Sequence, residues 1–285
     1  MTSPTSAAHP ETESFYVGDR RAMVSLGPLN GRSYCSYRCA FCYVNEKQFV
    51  RYDALTPDDV VSWLAARADD FDIVYVSGDT DSFARPRSAA GLLLLDRLGA
   101  LGVDVLFTTR YVFTDAERDR LQGIAGDYAA RSTRLIPCVS VAQLHHPDLE
   151  PRPVPDPRLR LEQLAWMASI GLPAVLAVRP LIPAVPPSEY VEIVAVGGEC
   201  CSAVLASDLY ADDGGVIQLN VEKATCTPMV AIDQTRERLP FSRTSIPWRI
   251  VRHPEAESAL QRYCQSKDLP FFMHSKAAVD YLRSR

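Results

Sequence analysis

Two hydrophobic periods take turns along this chain. Short apolar, β-branched runs read as buried strands: "MVSLG" (23–27), "DIVYVS" (72–77), "DVLFTT" (104–109), "RLIPCVSVA" (134–142), "PAVLAVRPLIP" (173–183) and "SAVLAS" (202–207). Between them, residues 56–68, 88–101, 114–131, 156–171 and 187–201 read as helices. Thr56 followed by Pro57 and two acids marks a helix start, as does Thr114, while Gly171 marks an end. Pro137 lies inside a strand and weakens it or implies a bulge there. Six strands apolar enough to be covered on both faces, each alternating with a helix, predict a parallel sheet with helices outside it. The fold expected is α/β: a partial (β/α)6 TIM-like barrel.

Beyond residue 210 the alternation loosens. "GVIQLNV" (215–221) reads as an edge strand, 253–268 as a helix, "LPFFM" (269–273) as a strand and "SKAAVDYL" (275–282) as a last helix. The organisation expected is a disordered tail over 1–20, a barrel over 21–210 and a C-terminal α/β extension packed on it over 211–285.

Composition narrows the function classes. With 285 residues, 47% of them hydrophobic, the chain can bury a large core without staples. A formal net charge of −5 disfavours nucleic acid as a partner, since sequence-independent binding needs a basic footprint. Arg20, Arg21, Arg32, Arg38, Lys47 and Arg51 nonetheless surround the cysteine-rich stretch, as a solvated surface or as a docking face for an acidic electron donor. No apolar run suggests a signal peptide or a membrane span, so a cytoplasmic location is expected, where thiols stay reduced and suit metal or redox chemistry.

"CSYRCAFC" places Cys35, Cys39 and Cys42 at spacing Cys-x3-Cys-x2-Cys. Three thiolates are one short of a closed structural zinc site. The fourth ligand would have to come from Cys138, Cys200, Cys201, Cys226 or Cys264, none of which sits in a Cys-x2-Cys pair. Three thiolates also suit a four-iron cluster with one iron left open.

This motif, just after a first strand and with the aromatic Phe41 before the last cysteine and Tyr43 after it, resembles the signature of the radical S-adenosylmethionine superfamily. The resemblance implies a [4Fe–4S] cluster on Cys35, Cys39 and Cys42, with S-adenosylmethionine at its open iron. It also implies reductive cleavage to a 5′-deoxyadenosyl radical, hydrogen abstraction from a substrate, and a flavodoxin- or ferredoxin-type electron donor. Phe41 and Tyr43 would flank the cofactor. Ser77, Gly78 and Asp79 resemble the family's Gly-Gly-Glu motif for the methionine amino group, with Ser in place of the first Gly and Asp in place of Glu. Ser140 resembles a ribose-contacting residue, and Arg179 would pair the methionine carboxylate.

The layout of residues 30–210, notably "EPRPVPDPRLRLEQL" leading to "RPLIP", is similar to the spore photoproduct lyase-like branch. By that likeness Cys138 is a candidate hydrogen donor; a buried inert thiol is the other reading. Thr109, Arg110 and Tyr111 are candidates to line a substrate cavity. His145 and His146 would face substrate or solvent, and Cys200, Cys201 and Cys226 are candidates for an auxiliary cluster. The expected substrate is a small molecule, undergoing rearrangement, carbon–carbon bond formation or elimination. A nucleic-acid lesion lyase, a peptide-modifying radical enzyme and a non-catalytic zinc protein are the alternatives.

Overall fold

The computed structural model describes residues 16–26, 35–46, 55–78, 80–229, 234–237 and 248–285. Strand β1 (Tyr16–Gly18) turns back into β2 (Arg21–Val24) as an antiparallel pair, with Val17 opposite Ala22. The tail expected over 1–20 thus gives way to a strand at Tyr16. The first barrel strand lies slightly before the predicted 23–27.

Helix α1 (Pro57–Ala65) starts at Thr56, whose side chain accepts from the Asp59 amide while the Asp59 carboxylate accepts from the Thr56 amide. That reciprocal box satisfies two amides that the first helical turn leaves open. The chain continues through β3 (Ile73–Val76), α2 (Ser88–Gly99), β4 (Asp104–Thr109), α3 (Asp115–Ala130), β5 (Leu135–Ser140), α4 (Pro157–Ser169), β6 (Val175–Leu181), α5 (Pro187–Gly197) and β7 (Ala203–Ala211). Strands β2 to β7 are parallel and lie side by side in sequence order, the six-stranded partial barrel that the alternation predicts.

Side-chain parity separates two apolar layers. Val74, Val76, Val105, Phe107, Val139, Leu176 and Val204 pack outward under the helices, against residues such as Leu64, Leu92, Leu121 and Leu164. Ile73, Tyr75, Leu106, Ile136, Cys138, Val175, Ala177 and Leu205 pack inward.

Pro137 introduces no bulge. Its strand keeps register with β4 from Leu135 to Val139, and pairing with β6 begins only at Cys138. The irregularity lies instead in β6, where the register against β7 shifts between Val178 and Leu181. Pro180 stands in that gap and has no amide to give the ladder.

The remaining elements are α6 (Val216–Thr225), β8 (Gln234–Glu237), β9 (Trp248–Val251), α7 (Pro254–Ser266), β10 (Phe271–Phe272) and α8 (Ser275–Arg283). Residues 215–221, expected as an edge strand, open α6 instead. Ile217, Val221 and Thr225 recur every four residues and are buried, while Val216 and Leu219 are exposed. Strand β9 pairs antiparallel with the end of β7, and β10 pairs parallel with its start. Helix α8 does not join the outer ring. Ala278, Val279 and Leu282 pack into the inner layer of the barrel, and Arg283 bonds Asp104 at the entry of β4 (2.8 Å). Among the described residues no helix is long and apolar enough to cross a membrane.

Candidate functional site

Parallel barrels expose their loops at the carboxyl ends of the strands, and this one has a cavity of ≈ 530 Å³ that opens there and runs down its inner face. Cys35, Cys39 and Cys42 all line it, with Phe41 and Tyr43. The cysteine stretch is held from below: the Ala40 amide donates to the Leu149 carbonyl (2.9 Å), and the Cys42 amide closes a turn on the Cys39 carbonyl (3.0 Å). Burial first, and then the nearby Asp81, pushes the Cys35 thiol up to about 11, against backbone amides of Asp81 and Tyr37 that favour the thiolate. Burial also pushes the Cys39 thiol well above its ordinary value. Without a cation the pocket therefore disfavours free thiolates.

Among the described residues, no three ligating side chains converge on one point as a single-ion site requires. By their chemistry, three thiolates are one ligand short of a closed zinc site and suit a four-iron cluster with one iron left open. Tyr43 is wedged edge-on against Tyr210 (5.6 Å between ring centres) and Trp248 (6.0 Å), which ties the cysteine loop to β7 and β9.

Ser77, Gly78, Thr108 and Arg179 line the same cavity. Ser77 has φ 65°, a left-handed conformation that glycine adopts freely and serine does not. Its hydroxyl accepts from the Ser82 amide (3.0 Å), which fixes the turn. A side-chain carbon at Gly78 would run into the Met23 thioether. Asp79 lies outside the described residues, as do Arg32, Lys47 and Arg51. Arg20 pairs with Asp72 at the exposed rim, and Arg38 is exposed.

Ser140 and Cys138 face inward from β5 but do not line the cavity. Both are fully buried, and the Ser140 hydroxyl has no hydrogen-bond partner. Cys138 sits behind the cavity wall, next to Thr108 and Arg179; burial raises its thiol, with Arg179 and Thr108 opposing. Arg179 donates to the Thr108 hydroxyl (3.0 Å).

Sequence reasoning missed the charged group beneath the cysteines. Glu150 and Arg160 are wholly buried and paired at 2.5 Å, and Arg110 donates to the other Glu150 oxygen at 2.6 Å. Burial alone would raise the Glu150 carboxyl; Arg160 and Arg110 outweigh it and hold the carboxyl below its ordinary range. Arg160 also donates to the Ser140 carbonyl (2.6 Å), and the Arg110 guanidinium lies 5.5 Å from the centre of the Phe41 ring. Asp81 is a second such group. Its carboxylate accepts from the Thr109 hydroxyl and from the amides of Phe83 and Arg110. No local pattern announces these pairs, because their partners come from other strands.

Thr109 and Arg110 line the cavity; Tyr111 turns away and bonds Glu117. His145 and His146 also lie outside it and pair with Glu192 and Glu189 of α5. Cys200 and Cys201 stand at the entry of β7 and Cys226 follows α6, beyond the strand's exit; they are not brought together as a cluster site.

Six parallel strands in sequence order, with a cysteine loop over their carboxyl ends, form a partial (β/α)6 barrel. The fold is similar to that of spore photoproduct lyase. A double mutant of that protein, with AdoMet and a dinucleoside spore photoproduct bound, superposes with a TM-score of 0.62 over 93% of this chain and 79% of that one, at 14% identity. A tyrosine-to-phenylalanine mutant of the lyase gives 0.60 over 84% and 73%, at 12% identity. SuiB of Streptococcus suis, bound to S-adenosylmethionine, gives 0.55 at 12% identity; the match spans 85% of this chain and 48% of SuiB. At these identities the likeness is one of fold. No protein-family model and no curated protein sequence matches the chain.

Proposed function

We propose that the protein is a cytoplasmic radical S-adenosylmethionine enzyme acting on a small molecule. One observation carries this reading: Cys35, Cys39 and Cys42 line a single cavity at the mouth of a barrel with the spore photoproduct lyase layout. The three thiolates would hold a [4Fe–4S] cluster whose fourth iron takes S-adenosylmethionine. When bound, this pair supplies a 5′-deoxyadenosyl radical that takes hydrogen from the substrate.

The chain's own part is to bind, orient and shield. Ser77, Gly78 and Asp79 would receive the methionine amino group, and Arg179, charged and half-buried, its carboxylate. Phe41 and Tyr43 wall the cofactor in. Ser140 is the proposed ribose contact on the resemblance alone: its hydroxyl is unpartnered, but the residue is fully buried and does not line the cavity. Cys138 is assigned to packing, since it is fully buried and does not line the cavity. A flavodoxin- or ferredoxin-type protein would deliver the electron. The layout also supports a second reading, a nucleic-acid lesion lyase, which the net charge of −5 disfavours.

Anaerobic purification with iron and sulfide analysis tests the proposal. The expected result is about four irons per chain, as the three-thiolate motif implies, with 5′-deoxyadenosine formed on reduction. Both should be lost in Cys35→Ala, Cys39→Ala and Cys42→Ala. Zinc without an iron–sulfur spectrum, or a full cluster in any single variant, would overturn it.

A further inference from the structure

The cavity has a second end. Strand β2 is four residues long, so its entry lies on the order of 10 Å below the exit that leads to the cysteines. Arg21 stands at that entry, Tyr75 is level with Met23 on the neighbouring strand, and the start of α8 lines the same cavity. Arg21 projects inward from the entry of β2, its guanidinium carbon 5.9 Å from the centre of the Tyr75 ring, and both line the cavity. Tyr75 packs in the same apolar cluster as Ala278 and Val279 of α8. His274, Ser275 and Lys276, which open that helix, line the cavity as well.

Three sets of donors there have hydrogen-bonding capacity left over. Tyr75 is 4% exposed, yet its hydroxyl has no hydrogen-bond partner; Arg21 lies beside it without reaching hydrogen-bond geometry. The Nε of Arg21 is buried and also has none, although its Nη2 meets the exposed Asp19 at 3.4 Å. Helix α8 begins without a side-chain cap at His274, and its first residues line the cavity. A phenol, a guanidinium and an uncapped helix start are all hydrogen-bond donors, and the last two carry positive charge. Acids also stand near: Asp280 is paired with Lys276 (2.7 Å) but acts on Tyr75 through its charge, and Asp19 is exposed. Asp208 lines the cavity from β7.

We infer that this lower end is an anion subsite, formed by Arg21, Tyr75 and the first turn of α8, and that the substrate is a small acid seating a carboxylate or phosphate there. The inference rests on the proposed function and extends it. The cofactor's own carboxylate belongs at the cysteine end, so the lower donors are left for substrate. A neutral, non-accepting substrate would leave the Tyr75 hydroxyl and the Arg21 Nε buried and unpaired, which proteins avoid.

The test is calorimetric titration of the cluster-loaded protein, saturated with S-adenosylmethionine, with succinate, inorganic phosphate and a dinucleoside monophosphate. Binding of succinate or phosphate is expected, and the stronger of the two names the acid. Tyr75→Phe should weaken that binding about tenfold, and Arg21→Gln more, as each removes a hydrogen bond to a charged group. Tyr75→Phe keeps the packing, so it decides the matter even where Arg21→Gln fails to fold. The inference is overturned where neither small anion binds, where Tyr75→Phe binds as tightly as wild type, or where only the dinucleotide binds. Cluster absorption in the same samples reports separately: its absence would sink the proposed function, whatever the anions do.

Discussion

Two aspartates stand two residues apart after β3, and different reasoning leads to each. Asp79 is singled out by resemblance of "SGD" to a cofactor-binding motif. Asp79→Asn should lower S-adenosylmethionine affinity about ten- to hundredfold, the worth of one charge-assisted hydrogen bond, with urea unfolding unchanged; equilibrium dialysis against labelled cofactor reads the first. Asp81 holds the fold. Its carboxylate faces only donors, from Phe83, Thr109 and Arg110. Asp81→Asn brings an amide group against them and should cost about 1–3 kcal/mol of stability. A motif resemblance could point to Asp79 because it is local. Asp81 was invisible because Thr109 and Arg110 come from the next strand, and nothing in a linear pattern pairs them.

At the scale of elements, most of the architecture was legible because strands covered on both faces announce themselves. Helix starts at Thr56 and Thr114 were equally plain, both being capping boxes in the structure. The segment 215–221 was not, since seven residues rich in Val and Ile suit either period. What decides it lies just upstream: Asp212 accepts from the amides of Val216 and Ile217 and so opens a helix. The antiparallel strands β1, β8 and β9 carried too little apolar pattern to be found. Helix α7 offers a pH test. His253, at its start, is buried, bonds the Val185 carbonyl through Nε2 (3.0 Å) and meets the Tyr190 ring edge-on. Burial lowers its pKa below 6.5, with the Val185 bond and Glu255 opposing. The folded state thus favours neutral histidine. The stability this brings is complete above pH 6.5 and is lost as pH falls past that value toward the folded pKa. The urea midpoint should drop between pH 7.5 and 5.5 in the wild type, and the drop should be shallower in His253→Gln.

The whole molecule is tied through Glu150. It joins the end of β4, through Arg110, to α4, through Arg160. It directly follows Leu149, whose carbonyl holds the cysteine loop. Glu150→Gln would leave two guanidinium groups without their counter-charge. Removing one partner of a buried pair costs about 3–5 kcal/mol. Urea unfolding should show that loss, and the variant should retain less iron, because the loop loses its footing.

That footing has a consequence for how the protein is made. The cysteine motif occupies one short stretch of sequence, yet its shape is borrowed from residues 104–110 and 147–160. A nascent chain that has presented only the motif offers three reactive sulfurs and no mould for them. On the proposed function, faithful metal loading must therefore follow the folding of the first four strand–helix units. Until then the same three thiols are open to oxidation and to the wrong metal, so expression conditions that delay folding should yield intact but iron-poor protein.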